Sequence, residues 1–291
     1  MDANDRENVA EATTIAERDR LIETLRGFGK VAVAFSGGVD STVVAKAARL
    51  ALGDDAIAVT AVSQSLAEGE LQNAEELAER IGITHKVIQT REFEDPNYLR
   101  NGTDRCYFCK SELYGRLSSM SGELQVDLIV SGANADDAGD HRPGLVAAAE
   151  QGVRHPLLEL GMGKDLVRAI AKSWDLPTWD KPASPCLSSR IAYGEEVTPE
   201  RARMIDQAEQ WLRRRGLRVV RVRYHKGDLA RVEVPADDLA TLARLDVRSE
   251  MSQAFHALGF KFVTLDLDGF RSGSLNTLVP LDQLIRSAPR G

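Results

Sequence analysis

The sequence predicts an α/β protein, a parallel sheet with flanking helices followed by a smaller α+β domain. Three observations predict it. Short, continuous apolar runs alternate with helical patterns through the first half of the chain, as strands covered on both faces should. One of those runs opens directly into a glycine-rich turn and then a helix, the turn type that carries ligands at the edge of such a sheet. In the last third two strands alternate in polarity, two helical stretches follow, and one more strand closes the pattern.

The elements run in order. Apolar residues recur at helical spacing over 15–28 until Gly27 and Gly29 stop the helix. Residues 31–35 form an unbroken apolar strand, 43–52 a helix, 56–62 a second strand and 70–81 a second amphipathic helix. Further strands are expected at 84–89 and 128–130. Residues 177–185 hold Pro177, Pro182 and Pro185, a spacing that forbids a helix and favours an extended course. The domain boundary is placed at its end, giving domains 1–185 and 186–291. Thr198 and Pro199 start a long helix that runs to about Arg215. Strands at 218–224 and 229–234, helical stretches at 237–245 and 249–258 and a strand at 260–267 complete the second domain, and 287–291 read as a frayed tail.

Composition bounds the function. At about 100–200 residues per domain the chain holds roughly one to three domains. With 43% hydrophobic residues, 28% charged residues and a mean hydropathy of −0.26 it is of ordinary globular type. No apolar run approaches the ~20 residues of a membrane span, and the charged N-terminus is unlike a signal peptide, so a cytoplasmic protein without membrane contact is expected. Against 37 Lys and Arg stand 44 Asp and Glu, and the net charge of −7 disfavours nucleic acid as a partner. Three cysteines, Cys106, Cys109 and Cys186, are too few for a disulfide framework and point to catalytic, redox or metal chemistry. A homo-oligomer is expected.

The strongest chemical signal is Ser36-Gly37-Gly38-Val39-Asp40-Ser41, set between a strand and a helix. Backbone N–H groups of such a turn, the helix dipole and the Ser36 and Ser41 hydroxyls make a cradle for phosphate, with Asp40 placed to help hold magnesium. The turn lacks the Gly-Lys-Ser/Thr ending of a Walker A loop. A second loop, 131–137, follows an apolar strand and gathers Gly132, Asn134, Asp136 and Asp137; it serves either as a ligand edge, with Asp136 a lesser magnesium candidate, or as an Asx turn capping the next helix. Cys106-Tyr-Phe-Cys109 opens a helical pattern. Three thiolates with no histidine at ligand spacing suit a 4Fe-4S (four-iron, four-sulfur) cluster with one open iron better than structural zinc. Cys186 lies in Lys181-Pro-Ala-Ser-Pro-Cys186-Leu-Ser-Ser-Arg190, among cationic and hydroxyl groups that favour thiolate. Arg221 and Arg223 alternate on one strand face, a fit for a substrate phosphate. Arg213, Arg214 and Arg215 read as a solvated helix face, and Asp228 and Glu233 as surface carboxylates.

The serine and glycine turn resembles the PP-loop, the SGGxDS signature of ATP pyrophosphatases with an adenine nucleotide alpha hydrolase-like fold. That likeness implies ATP and Mg2+ as cofactors, cleavage between the α and β phosphates, and an adenine edge on the strand that ends at Ser63. The Cys-Tyr-Phe-Cys-Lys box, the segment 131–144 and the proline-rich linker look like the LarE family of ATP-dependent sulfurtransferases, over about residues 29–234. This resemblance implies adenylation of a carboxylate of pyridinium-3,5-biscarboxylic acid mononucleotide, a nucleotide-like small molecule, and its conversion to a thiocarboxylate for the nickel-pincer nucleotide. It further implies Ser189, Arg190, Arg221 and Arg223 at the substrate, and sulfide or another sulfur donor as partner. Some members spend a single cysteine, at the position of Cys186, as a sacrificial sulfur source, whereas three-cysteine members hold a cluster whose open iron carries the sulfur. The three cysteines here point to the cluster form. Rival readings are sacrificial transfer from Cys186, cluster-dependent tRNA thiolation, and a nucleotide-binding regulator without catalysis.

Overall fold

The computed structural model describes residues 3–138, 143–271 and 273–278, so positions 139–142 of the second loop motif and the tail at 287–291 lie outside the described residues. In chain order the elements are α1 (Ala3–Arg26), β1 (Val31–Ala34), α2 (Val39–Leu52), β2 (Ala56–Val62), α3 (Glu70–Ile81), β3 (Thr84–Gln89), α4 (Pro96–Leu99), α5 (Arg105–Ser119), α6 (Ser121–Leu124) and β4 (Leu128–Ser131). Then follow α7 (Pro143–Glu150), α8 (Pro156–Glu159), α9 (Lys164–Ser173), α10 (Pro199–Arg213), β5 (Arg221–His225), β6 (Leu229–Glu233), α11 (Ala236–Ala243), α12 (Leu245–Leu258) and β7 (Phe262–Leu265). Short 3-10 turns connect several of them.

By packing, the described residues divide into two units. The first takes the residues up to Val62, Gly69–Thr90 and Cys109–Ser184; the second takes Ser63–Glu68, Arg91–Phe108 and the residues from Pro185 onward. The second unit thus draws two segments from the N-terminal half, which no single cut along the chain describes.

The first unit is a four-stranded parallel sheet in the order β3-β2-β1-β4. The inner strand β1 and most of β2 and β4 are apolar and buried, whereas the edge strand β3, Thr84–Gln89, is mostly polar and exposed. Val31 and Val33 pack with Leu21 and Leu25 of α1, Val43 and Val44 of α2 and Ile170 of α9, whereas Ala32 joins Ile57, Val59, Tyr114 and Leu117 on the opposite face. The strand order reverses at β1, which pairs with β2 on one side and β4 on the other. At such a switch point ligands are bound beyond the strands' C-terminal ends, and both candidate loops leave the sheet there. Helix α1 begins well before residue 15, and the exposed residues Val9–Thr13 carry no apolar stripe that would show it in the sequence. Residues 177–180 turn and 181–186 run irregularly, so the prolines exclude a helix but set an extended course only in the second half.

The second unit carries a three-stranded sheet in the order β5-β6-β7, antiparallel between β5 and β6 and parallel between β6 and β7. Thr198 caps α10 by accepting the Arg201 N–H, with Pro199 at the first helical position. Phe255 and Phe260 are buried with ring centroids 5.8 Å apart, and Trp211 meets Phe255 edge-on at 6.0 Å. Among the described residues no helix is long and apolar enough to cross a membrane.

Candidate active site

The 36–41 turn is shaped by its own hydroxyls. Ser36 and Ser41 Oγ share a hydrogen bond of 3.2 Å, the Ser36 N–H donates to Ser41 Oγ, and Ser41 Oγ donates to the Gly38 carbonyl at 3.1 Å. Gly37 takes φ of +67°, a conformation that costs a side-chain-bearing residue energy. Gly38 caps α2 without a side-chain hydrogen bond, which leaves the first N–H groups of that helix for an anion. A Cβ at Gly132 would stand 2.6 Å from the Ser41 nitrogen, so the two loops touch backbone to backbone and only glycine fits.

Asp40, the second residue of α2, is held from two sides. Asn134 Nδ2 donates to Asp40 Oδ1 at 3.0 Å, and the Lys164 ammonium pairs with Asp40 Oδ2. Asn134 also caps the turn at Ala135–Asp137: it accepts the Asp136 N–H while Asp137 accepts the Asn134 N–H. The capping turn is thus present, and the same Asn134 reaches Asp40 of the first turn. Asp136 accepts the Lys164 backbone N–H at 2.8 Å, and so anchors the start of α9. Lys181 reaches back to the turn, donating to the Gly37 carbonyl at 3.3 Å and to Glu70 at 2.8 Å. Lys164 carries no motif of its own in the sequence. Lys181 lies inside the linker motif, which was its only signal.

The cysteines sit on two segments. Cys106 and Cys109 stand one helical turn apart on α5, with the boundary between the packing units falling between them at Phe108; Cys186 precedes the 3-10 turn Leu187–Arg190. Cys106 and Cys186 are exposed and Cys109 is half-buried. Within the second unit a buried guanidinium, Arg105, donates to Asn101 Oδ1 and to the Ser188 carbonyl. Burial acts to lower its pKa, but nearby Cys186, Cys106, Tyr98 and Tyr193 outweigh that and leave it raised. Ser63 donates to Glu92 Oε1 at 2.5 Å and bonds Ser65 at 2.9 Å, and the Glu92 carboxylate, which the sequence did not single out, is buried.

The arginines of the second unit have internal partners. Arg190 and Glu209 form an ion pair with both side chains fully buried, and Arg190 also donates to the carbonyls of Pro185 and Cys186 and to Ser189 Oγ. Ser189 Oγ itself donates to the Cys186 carbonyl at 2.7 Å. Arg223 pairs with Glu233 at 2.9 Å and donates to the Ser189 carbonyl. Glu233 is thus no surface carboxylate: it is fully buried and accepts from Arg223, Arg231 and Ser274, because β5 and the end of β6 are covered on both faces where alternation implied one wet face. Asp228, by contrast, stays partly exposed and pairs with Lys261 at 2.7 Å. Arg221 donates to the Val220 carbonyl at 2.7 Å and lies over the Phe270 ring; burial, with the neighbouring Arg190, pushes its pKa down to about 10. Arg213 and Arg215 pair with Glu209 and Glu250.

A family model for NAD synthase matches residues 18–97, the span from α1 through β3 into α4. The chain is 36% identical over 274 residues to the pyridinium-3,5-bisthiocarboxylic acid mononucleotide synthase of Lactiplantibacillus plantarum, covering 94% of this chain and 98% of that protein. The chain belongs to the LarE family. An uncharacterised Synechocystis protein is 47% identical over 262 residues, covering 89% of this chain and 97% of its own. A tRNA-specific 2-thiouridylase of Microcystis aeruginosa is 32% identical over 200 residues, but only 56% of its length is covered. Membership in LarE makes the chain an ATP-using enzyme of the sulfurtransferase type, built on a PP-loop domain.

The donor sets bear on the cofactors such an enzyme needs. Asp40 fits a divalent cation, since its carboxylate already holds one positive charge, the Lys164 ammonium, in a partly exposed position. The three thiols suit an iron–sulfur cluster in kind, with a buried guanidinium beside two of them to balance negative charge. Among the described residues no three His, Cys, Asp or Glu side chains are gathered closely enough to hold a metal ion.

Proposed function

We propose that this protein adenylates a carboxylate of pyridinium-3,5-biscarboxylic acid mononucleotide with ATP and replaces the activated oxygen with sulfur. The observation that carries the reading is a phosphate turn without a Walker lysine, in a chain matching a bisthiocarboxylate synthase over nearly its whole length. In the first half-reaction a carboxylate oxygen attacks the α-phosphorus and pyrophosphate leaves. In the second, sulfide displaces AMP from the acyl adenylate and leaves a thiocarboxylate. The N–H groups at the start of α2, with the Ser36 and Ser41 hydroxyls, hold the phosphates, and Asp40 holds Mg2+. Gly132 allows the second loop to close on the turn, and Asn134 orients Asp40. The strand assigned to the adenine is β2, which ends at Val62, one residue before Ser63.

Arg221 binds the acceptor's phosphate. Its guanidinium is buried, and an anionic ligand would offset the cost of holding that charge away from water. Arg223, Arg190 and Ser189 shape the segment that carries Cys186. Cys106, Cys109 and Cys186 would hold the 4Fe-4S cluster, which supplies an open iron able to take up sulfide. A tRNA substrate has weaker support, since the thiouridylase match is partial and the chain is acidic.

The test is product analysis with ATP, Mg2+ and the biscarboxylate mononucleotide. AMP and pyrophosphate are expected in equal amounts; substrate-dependent ADP would overturn the reading. In the same assay Cys106→Ala, Cys109→Ala and Cys186→Ala should each remove iron-dependent absorption near ~400 nm while pyrophosphate release survives. If Cys186 instead loses the mass of hydrogen sulfide after one turnover and the other two variants stay active, sacrificial transfer replaces the cluster.

A further inference from the structure

Arg105 directly precedes Cys106, and Ser188 lies two residues after Cys186. The second unit ties these two neighbours together. The Arg105 guanidinium, 6% exposed, donates to the Ser188 carbonyl at 2.8 Å and to Asn101 Oδ1. Tyr98 Oη and Ser188 Oγ share a hydrogen bond of 2.6 Å, so Ser188 is gripped by side chain and backbone alike. Asn101, at φ +56°, donates to the carbonyls of Ala192 at 2.8 Å and Glu195 at 2.9 Å, which extends the lacing along the same segment. These bonds ask only for N–H donors at position 105. The charge needs its own account. Arg190 and Arg223 are buried too, but each faces a carboxylate, Glu209 and Glu233. Arg105 faces none among the described residues: its acceptors are neutral oxygens, and the acidic groups that act on it are Cys186, Cys106, Tyr98 and Tyr193. A buried cation without a counter-charge is costly, and it persists where an anion offsets it. Cysteine sulfur gives up its proton and becomes that anion when it ligates a metal.

We infer that Arg105 is a positioning residue of the sulfur centre, fastening the Cys186 segment beside the start of α5 and supplying the buried positive charge against which Cys106 and Cys186 hold an anionic assembly. This deepens the cluster reading above and rests on it. Both sulfurs are exposed while the guanidinium behind them is buried, so the positive potential acts on what arrives at sulfur from solvent and favours anions, sulfide among them.

The test reads that potential with two alkylating agents of nearly equal size, the anion iodoacetate and the neutral iodoacetamide. Metal-free, full-length protein is alkylated anaerobically at one pH and low salt, and the rates at Cys106 and Cys186 are followed by peptide mass spectrometry. The thiolate fraction enters both rates alike, so their ratio reports the charge around each sulfur and not its protonation. Arg105→Gln keeps an N–H donor but loses the charge, and its iodoacetate-to-iodoacetamide ratio should fall about threefold or more at both cysteines. Arg105→Lys keeps the charge and should stay near the wild type. The wild type gives a reading that needs no substitution: both cysteines should favour the anion more in the native protein than in the urea-unfolded chain. In protein reconstituted with iron and sulfide, Arg105→Gln should also move the cluster's midpoint potential to more negative values, since a compensating positive charge is gone. An unchanged ratio in Arg105→Gln, a fall of the same size in Arg105→Lys, a native wild type no more selective than the unfolded chain, or an unmoved potential would each overturn the inference. If the wild type takes up no iron and sulfide, the cluster reading fails, and the alkylation ratio alone still decides whether Arg105 supplies that charge.

Discussion

Asp40 and Glu209 are both carboxylates held by a basic side chain, and their surroundings give them opposite uses. The Arg190–Glu209 side chains are 0% exposed, whereas Lys164 and Asp40 are 35% and 22% exposed. Glu209 accepts from Arg190 twice, from Arg213 and from the Val222 N–H. Burial pushes its pKa up, but Arg190, Arg213 and Arg221 outweigh that and hold it below the usual carboxylate range. A pair so enclosed cannot exchange partners without stranding a buried charge. Asp40 has one neighbour on a short side chain, Asn134, and one on a flexible four-carbon stem, Lys164, and is partly exposed. A carboxylate paired with a base is enclosed architecture in the second unit and a partly exposed contact in the first.

The largest effect should come from breaking the enclosed pair. Glu209→Ala leaves Arg190 buried without its counter-ion and frees the segment Pro185–Ser189 that Arg190 fastens, so urea unfolding should show a loss of ~3–5 kcal/mol. A loss below ~1 kcal/mol would mean that the network is no more structural than the Lys164–Asp40 pair. Asp40→Ala is the converse. On the proposed reading, in which Asp40 holds the metal, pyrophosphate release should fall ~10²–10³-fold while stability stays within about 0.5 kcal/mol, because no buried charge is stranded. An unfolded Asp40 variant with a normal specific rate would reverse the comparison.

How much of this the sequence disclosed follows from the range of the interactions. Strands β2 and β3 and helix α3 lie at the residues read from the pattern; β2 is covered and nearly all apolar, and Gly82, at φ +77°, ends α3 locally. The turn at 36–41 was legible because its glycines, hydroxyls and carboxylate are adjacent in the chain. Lys164 and Glu209 were not. Lys164 meets Asp40 across 124 positions, and Glu209 looks like any polar helix residue until Arg190 and the Val222 N–H close on it. Glu233 was misread because a period-two pattern shows which residues share a face but not whether that face is wet.

The smallest effect separates the two loops of the first unit by pH. His155 Nδ1 hydrogen-bonds Ser131 Oγ at 2.7 Å, at the C-terminal end of β4 where the 131–137 loop begins. Burial pushes its pKa below the usual 6.5, against smaller opposing contributions from Glu159 and Asp137. At pH values above 6.5 the ring is neutral in folded and unfolded chains alike, and it adds no pH dependence. As pH falls below 6.5 the unfolded chain takes up the proton first, so stability declines until the folded ring also protonates, and below that the full loss has accrued. His85 and His225 are lowered by burial as well, so His155→Gln should reduce this acid-side slope without abolishing it. Asp40→Ala should leave the slope as it is, since the phosphate turn contains no histidine. Urea unfolding of both variants between pH 7.5 and pH 5 measures it. An unchanged slope in His155→Gln would show that the Ser131 contact, and with it the anchoring of the second loop, tolerates a protonated ring.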